Sequence, residues 1–219
     1  MRNFVATSCR VLALCLVFSA ALCAAAQNTL YENGPINGEV LAWTINEGFS
    51  PSDSFVLTSA STINGLSFGA WLFTGDVLES AQIVLSEFAS GTGTVYFNQQ
   101  VGFAQSGCFA NGRGFNVCTE TGSFSGPALN AGTYWLTIGN AVDTAGDPVY
   151  WDQNNGVGCH SVGCPSMAED SSVGSIPSEA FTVLGSQTGG TGTTPEPGSL
   201  LLFGSGLIGT VEFVRRKLL

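Results

Sequence analysis

Four groups of residues have the types and spacing to do chemistry. Gly65-Leu66-Ser67-Phe68-Gly69 fits the G-x-S-x-G pattern of serine hydrolases, and Asp143, Asp147, Asp152 and then His160 follow in the matching chain order. That pattern works only on a strand, a sharp elbow and a helix. Here the flanks continue as a strand into Trp71-Leu72-Phe73, and the single histidine sits between Cys159 and Cys164. No catalytic residue is assigned, and no enzymatic activity is expected. Paired carboxylates would serve a glycosidase, but acids are frequent enough here that close pairs arise by chance. Asp152-Gln153-Asn154-Asn155-Gly156 begins like a calcium loop, with oxygen ligands at alternate positions. The glutamate that should close such a loop is replaced by Gly163. A polar turn is therefore the first reading. A structural calcium on Asp143, Asp147, Asp152 and Asn154 is the alternative, and no other cofactor is expected. Finally, Trp71, Phe73 and Trp135 fall opposite the apolar rows of their segments. If those faces are open, the rings could stack on sugars, helped by the amides of Gln153 or Asn154. If they are covered, the rings are core.

Strands must position these residues, because no long helical period appears between 27 and 194. Leu41, Trp43 and Ile45 alternate, as do Leu66, Phe68, Ala70 and Leu72, and Tyr134, Leu136 and Ile138. Gln82–Leu85, Thr94–Phe97, Pro148–Trp151 and Ala180–Leu184 read as further strands. Only Asp76 to Phe88 could hide a helical turn, and its β-branched residues and Phe88 favour strand. Short alternating runs separated by Asn, Gly, Ser and Pro predict an all-β chain, a β-sandwich of jelly-roll type. Asn64-Gly65, Asn111-Gly112, Asn130-Ala131-Gly132 and Asn154-Asn155-Gly156 are the predicted turns. The sandwich is expected over 27–184. The run GSQTGGTGTT over 185–194 reads as a flexible linker.

Charge narrows the partners. Residues 27–194 hold 14 of the 16 acids of the chain, all but Glu196 and Glu212, against Arg113 alone, for a net charge near −13. Nucleic acid is excluded as a partner, since phosphate binding needs clustered Lys and Arg. The same region holds Cys108, Cys118, Cys159 and Cys164. Short loops close most easily, so Cys108–Cys118 and Cys159–Cys164 are the expected disulfides, with two other pairings open. A zinc site including His160 is the competing reading, but the spacings match no zinc motif well.

The two ends read as addresses. Arg2 and Arg10 precede an apolar run from Val11 to Phe18 and then Ala24-Ala25-Ala26. This is the layout of a secretory signal peptide over 1–26, with Gln27 the first mature residue. At the other end, Pro195-Glu196-Pro197 is followed by an apolar stretch to Val214 and by Arg215-Arg216-Lys217. Apolar residues surround the helix that 198–214 would form, about 25 Å long against a hydrocarbon core of about 30 Å. The basic cluster would stop transfer and stay cytoplasmic. An ordinary membrane anchor is one reading of this segment.

The tripeptide, apolar span and basic end together resemble the PEP-CTERM sorting signal of Gram-negative bacteria. The resemblance covers about 194–217 and implies recognition at Pro195, Glu196 and Pro197 by an exosortase in the inner membrane. It implies secretion, transient anchoring by the C-terminal helix, and a destination in the cell envelope or extracellular polymer matrix. Glu212 within the span and Leu218-Leu219 after it depart from the family pattern. Residues 131–138, 149–152 and 179–183 also look like sandwich ectodomains of other proteins with this signal, which implies no particular ligand. The expected role is structural or adhesive, within an exopolysaccharide matrix or biofilm. A carbohydrate-binding module is the second reading and an extracellular hydrolase the third.

Overall fold

The computed structural model describes residues 27–154 and 167–188. The expected signal peptide, Cys159–Cys164 with His160, Pro195-Glu196-Pro197, the membrane helix and Arg215-Arg216-Lys217 lie outside these residues. Among the described residues the chain is all-β, with one short 3-10 turn at Ala89–Gly91 and no helix long and apolar enough to cross a membrane.

Two antiparallel sheets form the domain. The eight-stranded sheet is built on β4 (Ser61–Phe73). Along one side of β4 runs β8 (Phe115–Ser123), then β7 (Ala104–Ala110), with the short β9 (Ala128–Leu129) beyond the end of β8. Its other side is shared end to end. β14 (Phe181–Gln187) and β1 (Asn28–Glu32) take one half, and β11 (Tyr150–Asp152) and β2 (Ala42–Thr44) the other. The six-stranded sheet runs β13 (Gly174–Ile176), β12 (Ala168–Asp170), β3 (Ser52–Leu57), β10 (Gly132–Asp143), β5 (Leu78–Phe88), β6 (Thr92–Gly102).

The predicted apolar rows of β4 and β10 make the core, whereas of the predicted row Leu41, Trp43 and Ile45 only Ile45 is buried there and Leu41 is exposed on the outer face. Leu66, Phe68, Ala70 and Leu72 of β4 meet Phe55 and Leu57 of β3, Ile83 and Leu85 of β5, and Leu136 and Ile138 of β10. Trp151, on β11, packs edge-on against Phe68 and Phe181. Each such side chain contributes about 1.5 to 3 kcal/mol through burial. Within the segment 76–88, Leu78–Phe88 is strand, as its β-branched residues favour.

Three expectations need correction or completion. Asn64-Gly65 is not a turn; it lies inside β4, where a Cβ at Gly65 would stand 2.7 Å from Gln27 Nε2. The glycine is there for close approach rather than for reversal of the chain. Gly185-Ser186-Gln187, read as the start of the linker, continues β14 and pairs with Ile63-Thr62-Ser61. Main-chain pairing needs no apolar side chain, so composition alone ended the domain too early. The Cys108–Cys118 bond is present, joining β7 to β8 with Cα atoms 4.1 Å apart.

The interior also holds carboxylates. Asp53 accepts from the Glu179 N–H (2.6 Å), the Ser178 hydroxyl (3.1 Å) and Asn33 Nδ2 (3.2 Å). Glu120, opposite the core residue Phe68, is fully buried, and neither carboxylate oxygen has a hydrogen-bond partner among the described residues.

Candidate functional site

The outer face of the eight-stranded sheet carries a recess of about 210 Å³, lined by Leu41, Ala42, Trp71, Arg113, Phe115 and Tyr150. Register explains the gathering. Trp71 stands opposite Tyr150 on one neighbour and Val117 on the other, and Phe73 stands opposite Phe115. Side chains in these positions share the face that points away from the core. Phe115 is the hub. Its ring centre lies 5.8 Å from Trp71, 5.0 Å from Phe73 and 5.4 Å from Tyr150.

Asp152 fixes the floor of this recess. Its Oδ1 accepts the Trp71 indole N–H at 2.7 Å, and its Oδ2 accepts the main-chain N–H groups of Asn37 and Gly38 at 2.9 and 3.2 Å. Burial raises the Asp152 pKa, and these three donors pull against that rise. The close approach of the 36–38 segment depends on Gly69, where a Cβ would come within 2.8 Å of both Ile36 Cγ2 and Asp152 Cβ.

Arg113 sits at the rim. It occupies the β7–β8 turn, where Asn111 Oδ1 accepts the N–H groups of Arg113 and Phe115 at 2.9 and 3.3 Å. The guanidinium stands 6.0 Å from the Trp71 ring centre and donates to the Glu39 carbonyl at 3.2 Å. The disulfide clamps the two strands that carry this turn.

The sugar-stacking residues suggested by the sequence are thus divided. Trp71 and Phe73 share the outer face, but Trp71 is 3 % exposed and presents itself only through the recess, while Phe73 is 38 % exposed. Trp135 is 9 % exposed and belongs to β10, in the other sheet. That face is covered by the 3-10 turn, whose Ser90 N–H donates to Ser52 Oγ (2.8 Å), itself hydrogen-bonded to Thr137. A single platform of Trp71, Phe73 and Trp135 does not form. Phe115, Tyr150 and Arg113 were not assigned to a site from the sequence. The isolated Phe115 after a glycine-rich turn gave no alternation to read.

The calcium set is divided too. Asp152 spends both oxygens on N–H donors, and Asn154 Nδ2 donates to the Asn33 carbonyl at 2.7 Å. Asp143 and Asp147 instead meet Asp76, with carboxylate oxygens of all three within 4.8 Å of one another. Asp143 also accepts the Ala145 and Gly146 N–H groups. Burial, then the charges of Asp143 and Asp147, raise the Asp76 pKa. The raised value means that folding favours the protonated form, so this cost is absent in acid and grows as pH rises through the Asp76 pKa. Asp76→Asn is expected to raise the melting temperature at pH 8 and to leave it unchanged near pH 3. An equal effect at both pH values would show that charge repulsion is not the cause.

Ser67 lies in mid-strand, and its hydroxyl accepts from Thr121 Oγ1 at 3.3 Å. The G-x-S-x-G run passes straight along β4, without the elbow a nucleophile needs.

The family model of the PEP-CTERM protein-sorting motif matches residues 193–217. This chain carries that sorting motif. The motif implies secretion and membrane-associated processing by exosortase. It covers the tail and says nothing of the sandwich. No curated protein matches the chain.

Proposed function

We propose that this is an exosortase-sorted protein of the cell envelope or extracellular polymer matrix, structural or adhesive in role and without catalytic activity. The observation that carries this reading is the sorting motif at 193–217, beyond an all-β domain stapled by a disulfide. A stable sandwich with an oxidised cysteine pair suits life outside the cytoplasm. In this reading the chain crosses the inner membrane, is held by its apolar tail with Arg215-Arg216-Lys217 inside, and is cut near Pro195-Glu196-Pro197. Replacing these three residues by alanine is expected to abolish processing. Intact-mass spectrometry should find the parent beginning at Gln27 and ending near Pro197, and the variant still carrying its tail in the inner membrane. Full-length parent protein in the cytosol with reduced thiols would overturn the reading.

A carbohydrate-binding role is the second reading, and the aromatic recess favours it. Phe115 and Tyr150 offer ring surface around a space above the nearly covered Trp71. Within either reading, a structural calcium would fall on Asp76, Asp143 and Asp147 rather than on the set the sequence suggested. Millimolar calcium would then relieve the same repulsion that Asp76→Asn removes.

A further inference from the structure

We propose that the recess over Trp71 takes an anionic sugar, a uronic acid unit within a mostly neutral polysaccharide, with Arg113 as the group that reads its carboxylate. The inference rests on the carbohydrate-binding reading and adds the ligand's charge.

The first support is the place of the cation. Arg113 is the only Lys or Arg between residues 27 and 194, where 14 acids stand. In so acidic a domain, a surface arginine has many carboxylates to pair with. Yet its side-chain hydrogen bond goes to a main-chain carbonyl, that of Glu39, and no described carboxylate forms an ion pair with it. The guanidinium retains donors that nothing in the described chain uses.

The second support is how the cation is held. Its turn is closed by Asn111 and anchored below by the Cys108–Cys118 bond. The head group lies beside the aromatic lining. Holding a long side chain over a recess lowers the entropy lost when a ligand arrives. An arginine fork matches a carboxylate by two parallel hydrogen bonds. The aromatic rings alongside match the C–H face of a pyranose. A neutral sugar would use the rings and leave the fork without an anionic partner. Together, the ring faces and the fork select a ring that carries a carboxylate.

The third consideration sets the charge density. A net charge near −13 over residues 27–194 repels a continuous polyanion. One acid spaced between neutral sugars avoids most of that repulsion at physiological salt, where screening acts over about 8 Å. The class is therefore a mixed acidic heteropolysaccharide and not a polyuronate.

The test uses the secreted, oxidised protein. Two probes are titrated by calorimetry: an oligosaccharide alternating glucuronate with a neutral hexosamine, and the same oligosaccharide with its carboxylates reduced to alcohols. The parent is expected to bind the acidic probe about 10- to 100-fold more tightly, the range of a charge-assisted hydrogen bond. Arg113→Gln should erase that difference without moving the melting temperature, since its side chain is exposed and Asn111 holds the turn. Tyr150→Ala should weaken both probes. Equal affinity of the parent for both probes, unchanged in Arg113→Gln, would overturn the acidic specificity and leave carbohydrate binding standing. If neither probe binds the parent, the proposal and the carbohydrate reading fall together.

Discussion

Glu120→Gln is expected to remove about 2 to 3 kcal/mol of the pH dependence of stability between about pH 4.5 and pH 7, allowing for some solvent screening. The Glu120 carboxyl points into the sandwich, opposite Phe68, with no hydrogen-bond partner on either oxygen among the described residues. Burial raises its pKa from 4.5 to about 7. A carboxyl raised in the folded state holds a proton there that the unfolded chain has already lost. Stability is therefore greatest below the unfolded value, falls as pH rises through the interval, and is lowest above about 7. Urea unfolding of parent and variant at pH 5 and pH 8 would read the effect as a difference in midpoint. Identical pH dependence in the two proteins would mean that Glu120 is solvated or paired. Glu120→Met tests the same point from the other side. Replacing an unpaired buried charge with an apolar side chain of similar size should stabilise the domain most at pH 8.

Glu179 adds to this trend. It is fully buried, neither carboxylate oxygen has a hydrogen-bond partner among the described residues, and its pKa is raised well above 4.5, first by burial and then by Asp53 and Asp152. Asp53 accepts the Glu179 N–H and the Ser178 hydroxyl, so donors surround one of these neighbouring acids and none among the described residues meets the carboxylate of the other. Asp76 is shifted in the same direction, so each of these three groups contributes more stability in mild acid than at neutral pH.

The sandwich was legible where one face of a strand is apolar and the other polar. Leu66, Phe68, Ala70 and Leu72 gave away β4, and Leu136 and Ile138 gave away β10. β3 and β8 escaped notice because their inward positions include Asp53 and Glu120, which break the expected alternation. These are places where tertiary burial overrides the local pattern. The recess was half legible for a related reason. Trp71 and Phe73 lie on one strand and announce their face by period two. Phe115 and Tyr150 come from β8 and β11, and only the register of three neighbouring strands brings them beside Trp71. Proximity in sequence misled the calcium reading. Asp152 follows Asp147 closely, but β11 carries it onto the Trp71 indole, while Asp76 arrives from beyond the end of β4. The sorting motif was legible in full, because a linear signal needs no fold to bring its parts together.

Loss of the Cys108–Cys118 bond is expected to destabilise the domain by about 2 to 3 kcal/mol, the chain-entropy value for a closed loop of this size. The two residues are separated by 10 positions, and the loop they close contains the whole β7–β8 turn. Gln105 Nε2, on the same strand as Cys108, donates to both sulfurs, at 3.0 and 2.8 Å, so a side chain of β7 also holds the bridge. Cys118 is fully buried, and a double Cys108→Ser, Cys118→Ser variant places a hydroxyl there in apolar surroundings, adding a desolvation cost. Reduction of the parent avoids that complication and isolates the cross-link itself. Urea unfolding with and without reductant should therefore give a smaller loss than the double variant. The same comparison bears on the ligand site. Arg113 lies in the turn that the bridge constrains and Phe115 directly follows it, so reduction should speed amide hydrogen exchange over 111–115 before it affects the central β4. If exchange in that turn and the unfolding midpoint are both insensitive to reduction, the hairpin is ordered by its ladder alone. The recess would then owe its shape to strand register and to Asp152 rather than to the staple.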